Sequence, residues 1–189
     1  AGLRYSYEKK QIESKFFADS VLSLGPVIQD ESWDSWTPKI GLDYFIGEDA
    51  MLYLSVSKGF KSGGFNSAAV GAPPVSPENL TAYELGAKVE FLDGRMRLNI
   101  SAFDYDFTDM QVFSSNPLNP TQLILRNAAE SEIRGGEIEV SALPFGGLKI
   151  DVGLSFLDAK FSDFELSGAD LTGNKLPNSP EFTANIGVE

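Results

Sequence analysis

The chain has 189 residues, 42% of them hydrophobic, with no cysteine, no histidine and a formal charge of -12. That composition excludes a disulfide framework, Cys/His zinc centres, cysteine or histidine catalysis and an imidazole pH switch. The negative charge argues against nucleic acid as a partner, because phosphate recognition needs basic surface to displace counterions.

No apolar run is long enough for a membrane-spanning helix, and the opening AGLRYSYEKK has neither the basic start nor the apolar stretch of an export signal. An exported protein would therefore carry its leader outside these residues. Fourteen Phe, 6 Tyr, 2 Trp and 18 Gly favour strands joined by tight turns.

Taken in chain order, the first element is a strand over Leu3 to Glu8, followed by a long link from Lys9 to Ser35. Strands over Trp36 to Ile46 and Ala50 to Phe60 flank the short turn Gly47-Glu48-Asp49. A second long link, Lys61 to Pro77, leads to the clearest alternation in the chain. There Thr81, Tyr83, Leu85, Ala87, Val89 and Phe91 share one face, and Glu84, Gly86, Lys88 and Glu90 the other.

After Asp93-Gly94 a strand runs from Met96 to about Phe113, and a third long link covers Ser114 to Ala128. The next strand sets Gly136, Ile138, Val140 and Ala142 against Glu137, Glu139 and Ser141. Beyond the turn Pro144 to Gly147, Leu148, Ile150, Val152, Leu154 and Phe156 oppose Lys149, Asp151, Gly153 and Ser155. A fourth long link, Ser162 to Ser179, precedes a last strand in which Phe182, Ala184, Ile186 and Val188 oppose Thr183 and Asn185. In two strands the large apolar residues change phase, after Ala102 and after Phe156. A bulge or a strand rising out of an apolar layer predicts such a change.

The reading is all-β: about eight antiparallel transmembrane strands, with long and short connections alternating as in outer-membrane barrels. Two other architectures alternate in the same way. One is a complete eight-stranded outer-membrane barrel acting as an anchor or adhesin, which requires its first and last strands to pair. The other is a soluble secreted β-domain that binds glycans.

Four stretches carry a more specific likeness: YLSVSKGFKSGGFN at 53–66, PENLTAYELGAK at 77–88, NAAESEIRGGEIEV at 127–140 and LPNSPEFTANIGVE at 176–189. Their order and their placement on strands and adjoining loops resemble the barrel of TonB-dependent outer-membrane receptors. The resemblance implies part of a barrel of about 22 strands in the bacterial outer membrane, importing a scarce nutrient such as a ferric siderophore. It implies as partners the surrounding lipid, a plug domain inside the barrel, and TonB acting through an N-terminal region. Neither plug nor TonB-binding segment is recognisable here, and Glu189 stands where a barrel usually ends on an aromatic residue, so residues 1–189 read as an internal portion of the barrel.

On that resemblance, the lumen-facing Glu84, Lys88, Glu137 and Glu139 are candidates for contact with the plug. Trp33, Phe60, Phe65, Asn66 and Phe113, in or beside the long links, are candidates for gripping the ligand. Trp36 reads as a member of the interfacial aromatic girdle. Asp104, Asp106 and Asp109 lack the glycine and glutamate of a calcium loop and read as a solvated strand end. Asp30, Glu31, Asp34, Asp163, Glu165 and Asp170 make the outer loops acidic, which would suit divalent cations bridging lipopolysaccharide. No phosphate loop or nucleophile-base pair is present, so no catalytic residue, enzymatic activity, bound metal or cofactor is expected.

Overall fold

The computed structural model describes residues 1–18, 21–66, 69, 72–116, 119–166 and 168–189, with side chains described at all of these except 16–18, 21–25, 119, 120 and 128. Its elements are β1 (Gly2–Ala18), β2 (Val21–Ile46), β3 (Ala50–Lys61), β4 (Glu78–Phe91), β5 (Met96–Asn116), β6 (Asn119–Ala142), β7 (Ile150–Leu166), the two-residue β8 (Ala169–Asp170) and β9 (Phe182–Val188). They form one antiparallel sheet in chain order, with β8 and β9 sharing the far edge of β7. β1 does not pair with β9, so the closed eight-strand alternative fails its requirement.

Residues directly opposite in a ladder share a face, so the pairings can be followed across the sheet as rows. One outward row runs Leu42, Leu54, Leu85, Ala102, Gly136, Phe156 and Phe182. The next runs Tyr44, Leu52, Ala87, Ile100, Ile138, Leu154 and Ala184, and the one below it Ile46, Ala50, Val89, Leu98, Val140, Val152 and Ile186. A shorter fourth row holds Phe91, Met96, Ala142, Ile150 and Val188. These rows contain no charged side chain, yet Leu42 is 68% and Ile186 72% exposed. An apolar face this wide, uncovered by protein, is the outer surface of a membrane barrel.

Above this band the outward positions of β5 to β7 turn charged within one step, while β2 to β4 stay apolar for one row more. The next row reads Ile40, Val56, Tyr83, Asp104, Arg134 and Asp158, and the one above it Lys58, Thr81, Asp106, Glu132 and Lys160. This resolves the two phase changes. The register runs unbroken from Met96↔Ala142 to Phe107↔Ser131 and through Gly136↔Phe156, so no bulge reverses the faces there. The strands leave the apolar layer instead, and their outward residues become charged while aromatic residues pass inside. The bulges of β5 and β6 lie higher, between Phe107 and Met110 and between Glu130 and Ser131.

Three of the four long links are largely not loops. β1 and β2 stay paired up to Ala18↔Val21, β5 and β6 up to Asn116↔Asn119, and residues 169–176 return along the edge of β7 through backbone bonds such as Leu171 N to Phe164 O, 2.8 Å. Period-two patterning is faint in these segments because polar residues occupy both faces once lipid no longer selects one of them. Among the described residues of the remaining link, 62–66 and 72–77 do leave the sheet, with a bridge at Gly64↔Val75 beyond Lys61↔Glu78. The tight turns use left-handed backbone at Gly47 (φ 68°), Leu92 (55°), Asp93 (57°), Gly94 (76°) and Gly147 (85°).

Candidate functional site

The inward face carries the charged and polar side chains of the lower wall, with aromatic and aliphatic residues such as Phe103, Tyr105 and Leu157 higher up. Its central row runs Asp43, Tyr53, Gly86, Ser101, Glu137, Ser155 and Thr183, flanked by Gly41, Ser55, Glu84, Phe103, Gly135 and Leu157 above and by Met51, Lys88, Asn99, Glu139, Gly153 and Asn185 below. Large side chains lie flat over glycines of neighbouring strands. A Cβ at Gly86 would stand 2.5 Å from the Tyr53 ring, one at Gly135 2.6 Å from Phe103 Cζ, and one at Gly153 2.6 Å from Asn185. Aromatic rings thus cover backbone without narrowing the lumen.

Four predicted plug-facing residues share this wall. Tyr53 Oη donates to Glu84 Oε1 at 2.5 Å, Asn99 Nδ2 donates to Glu139 Oε2 at 3.1 Å, and Lys88 Nζ stands 5.8 Å from the Tyr53 ring centroid. Glu137 is exposed and has no hydrogen bond or ion pair among the described residues. Such a wall can offer carboxylates to basic groups in the lumen.

The mouth is built above it, where residues 61–66 and 72–77 lie to the inner side. Parity in the β1–β2 ladder places Lys10, Gln29 and Trp33 on the inward face. From there Lys10 Nζ donates to Ser62 Oγ and to the Gly63 carbonyl, both at 2.8 Å, and Gln29 Nε2 donates to the Ala72 carbonyl at 3.0 Å. Trp33 packs so closely on Gly63 that no side chain fits there, contacts Phe65 edge-on at 5.9 Å, and has Lys10 Nζ 5.6 Å from its centroid.

The other end of the loop is tied past β5 to β6. Asn66 Nδ2 donates to the Leu125 carbonyl at 3.0 Å and its Oδ1 accepts from Leu125 N at 2.6 Å. Asn127 and Gln111 both donate to the Ser76 carbonyl at 2.9 Å.

Among the predicted ligand residues, the structure therefore brings together Trp33, Phe65 and Asn66. Phe60 falls on the outward face, as Lys58 does, opposite Asn79. Phe113, 70% exposed, points away from Val112, which packs with Met110 and Leu176 around Ala129, Phe161 and Phe164. Strand parity separates Phe60 from the mouth, whereas Phe113, opposite Leu125 and two positions from Gln111 in an unbroken register, shares the face of Gln111. Trp36 is 58% exposed on the outer face with its ring 4.8 Å from Tyr5.

Asp104 and Asp106 also point outward, within 4.8 Å of Glu132, and Arg134 bonds both Asp104 (3.0 Å) and Glu132. Sequence reasoning missed Lys10, Gln29, Gln111 and Asn127, because their partners are backbone atoms of an inward-folded loop that leaves no pattern in the sequence.

A two-faced antiparallel sheet with an apolar exterior, a polar lumen and an elaborated mouth defines a wall of an outer-membrane β-barrel. The match to the family described as TonB dependent receptor-like, beta-barrel covers residues 1–189, and the chain belongs to that family. It is 27% identical to the pesticin receptor of Yersinia pestis over 192 residues, 99% of this chain and 27% of the relative. It is also 27% identical to the metal-pseudopaline receptor CntO of Pseudomonas aeruginosa over 150 residues, 79% of this chain and 20% of the relative.

Among solved structures the fold matches the ferric yersiniabactin uptake receptor FyuA from Yersinia pestis (TM-score 0.76, 21% identity, 98% of this chain, 27% of that one). It also matches the siderophore receptor PiuA from Acinetobacter baumannii (TM-score 0.74, 22% identity, 98% and 28%). The chain thus spans between a fifth and a third of the length of these relatives.

Proposed function

We propose that this chain forms part of the wall and outer mouth of a bacterial outer-membrane importer, energised through TonB, that takes up an iron complex of the siderophore type. The observation that carries this reading is the sheet's division of labour. Strands that turn four uncharged rows to lipid turn Glu84, Lys88, Glu137 and Glu139 to the interior. The ligand class rests on the names of the relatives, receptors for metal-pseudopaline and ferric yersiniabactin among them.

In this reading the open Glu137 carboxylate, with Glu84, Lys88 and Glu139 beside it, meets polar groups of a plug that fills the lumen. Trp33 and Phe65 offer aromatic surface to a bulky chelate at the mouth, with Asn66 holding their loop in place.

The test is uptake of radiolabelled ferric siderophores by iron-starved cells. Deleting the gene should abolish uptake of at least one complex, the intact gene should restore it, and loss of TonB should abolish it again. Trp33→Ala combined with Phe65→Ala should weaken binding by roughly tenfold or more while the protein still assembles in the outer membrane. Unchanged uptake of every ferric complex after deletion would refute the importer reading.

A further inference from the structure

The lowest inward positions change character along the sheet. Below the central row, β5, β6, β7 and β9 carry Asn99, Glu139, Gly153 and Asn185, whereas β2 and β3 carry Phe45 and Met51 in the same row. Phe45 is 66% exposed there, on the face that turns away from lipid. A phenyl ring facing a watery lumen gains free energy only when another group covers it.

The tight turn Gly47-Glu48-Asp49 closes this end of the wall, and a hollow of about 460 Å³ lies between it and β4–β5. Phe45 and Met51 form its apolar part, and Glu48, Asp49, Lys88, Glu90 and Arg97 are its charged lining. Arg97 Nε pairs with Glu90 Oε1 at 2.9 Å, and Lys88 Nζ stands 5.8 Å from the ring centroid of Tyr53, one row higher. Glu48 and Asp49 make no ion pair among the described residues.

A neighbouring hollow of about 440 Å³ on the same face is built differently. Its charges are matched within the wall, Lys149 with Asp151 at 2.8 Å and Glu139 with Asn99 at 3.1 Å. The first hollow therefore stands apart in combining uncovered apolar surface with two uncommitted carboxylates. That combination suits a long basic side chain, whose methylenes lie along apolar surface while its charged head reaches the carboxylates. A guanidinium or ammonium over the Phe45 ring would add a cation–π contact.

We propose that this hollow seats an arginine or lysine side chain of the plug, its stem on Phe45 and Met51 and its charge at Glu48 and Asp49. The seat lies on β2, β3 and their turn, apart from Glu137 and Glu139 on β6, and gives the plug a second footing on the wall. It rests on the reading that a plug fills the lumen, and the experiment separates the two.

The full-length receptor in outer-membrane vesicles is prepared with the photoreactive residue benzoylphenylalanine at Phe45, at Glu137 or at Leu42, and cross-linked peptides are identified by mass spectrometry. From Phe45 the expected product is a peptide of the same chain's plug that contains arginine or lysine. Leu42, on the lipid face, should give none. A plug cross-link from Glu137 with none from Phe45 overturns the seat and leaves the plug reading standing. A product from Phe45 that lacks a basic residue, or that belongs to another protein, overturns it too. No plug cross-link from either position refutes both readings.

Glu48→Gln combined with Asp49→Asn removes the charge and keeps the shape of the turn. Amide hydrogen exchange of the plug peptide captured from Phe45 should then rise roughly two- to fivefold, and Phe45→Ser should raise it as well. Raising salt from about 0.1 M to about 1 M should speed this exchange in the parent and leave the charge variant unchanged. Exchange that ignores the loss of both carboxylates would overturn the proposal.

Discussion

Replacing Gly135 with alanine is expected to destabilise the barrel wall, against the usual trend for glycine in a strand. Alanine in a strand interior normally gains about 0.5–1 kcal/mol over glycine through reduced chain entropy. At this position the added methyl would stand 2.5 Å from the Phe156 carbonyl oxygen and 2.6 Å from Phe103 Cζ. Both are closer than a real Cβ is found, and the first is backbone held by the β6–β7 ladder at Gly135↔Leu157 and Gly136↔Phe156.

Overpacking of this kind costs about 1–3 kcal/mol, so the two effects leave a net loss of up to about 2.5 kcal/mol, centred on about 1 kcal/mol. Phe103→Ala in the same chain should recover only part of it, since removing the ring leaves the carbonyl clash. Gly86→Ala is the internal contrast. The three atoms nearest its Cβ all belong to the Tyr53 side chain, at 2.5 to 2.6 Å, so Tyr53→Ala should relieve that clash. Reversible urea unfolding of the full-length protein in detergent or lipid vesicles measures each difference. A Gly135→Ala variant as stable as the parent, or more stable, would show that the lumen wall is not packed as described.

Three further outcomes follow from the assignment of faces and from local bonding. Brominated lipids should quench Trp36 on the outer face and leave Trp33 untouched, read as the quenchable emission lost in Trp36→Phe and retained in Trp33→Phe. Ile100→Arg, in the middle of an apolar row, should cost about 2–4 kcal/mol and impair assembly into the outer membrane. Asn99→Arg, one residue away on the lumen face, should assemble like the parent.

Asp170 is held below the usual carboxylate range by the backbone N–H of Thr172, 2.9 Å from its Oδ1, and by the Thr172 hydroxyl. A depressed carboxylate stabilises its turn above the unfolded value near 3.8, and that contribution is lost as pH falls through the lower folded value. Hydrogen exchange around Thr172 should therefore stay slow down to about pH 4 and rise below it, and Asp170→Asn should remove this dependence.

The two-faced strands were legible in the sequence because lipid and water select opposite side chains at alternate positions, and selection that strong leaves a period-two record. Leu85, Ala87 and Val89 against Glu84, Gly86 and Lys88 are enough to assign which face meets lipid. The turns were legible for a similar reason, since Gly47 and Gly94 occupy backbone that other residues adopt at a cost. The height of the hairpins was not, because beyond the apolar band both faces meet water and the alternation loses its cause.

Tertiary structure also divided the candidate site. Trp33 and Phe65, 32 positions apart in the chain, become neighbours because residues 62–66 fold inward, whereas strand parity sends Phe60 to the outer face. The wall's chemistry was thus a property of local pattern. The mouth depends on where a loop comes to rest, through bonds from Lys10, Gln29 and Asn66 to backbone atoms that every residue carries, and such bonds place no demand on the sequence of their partners.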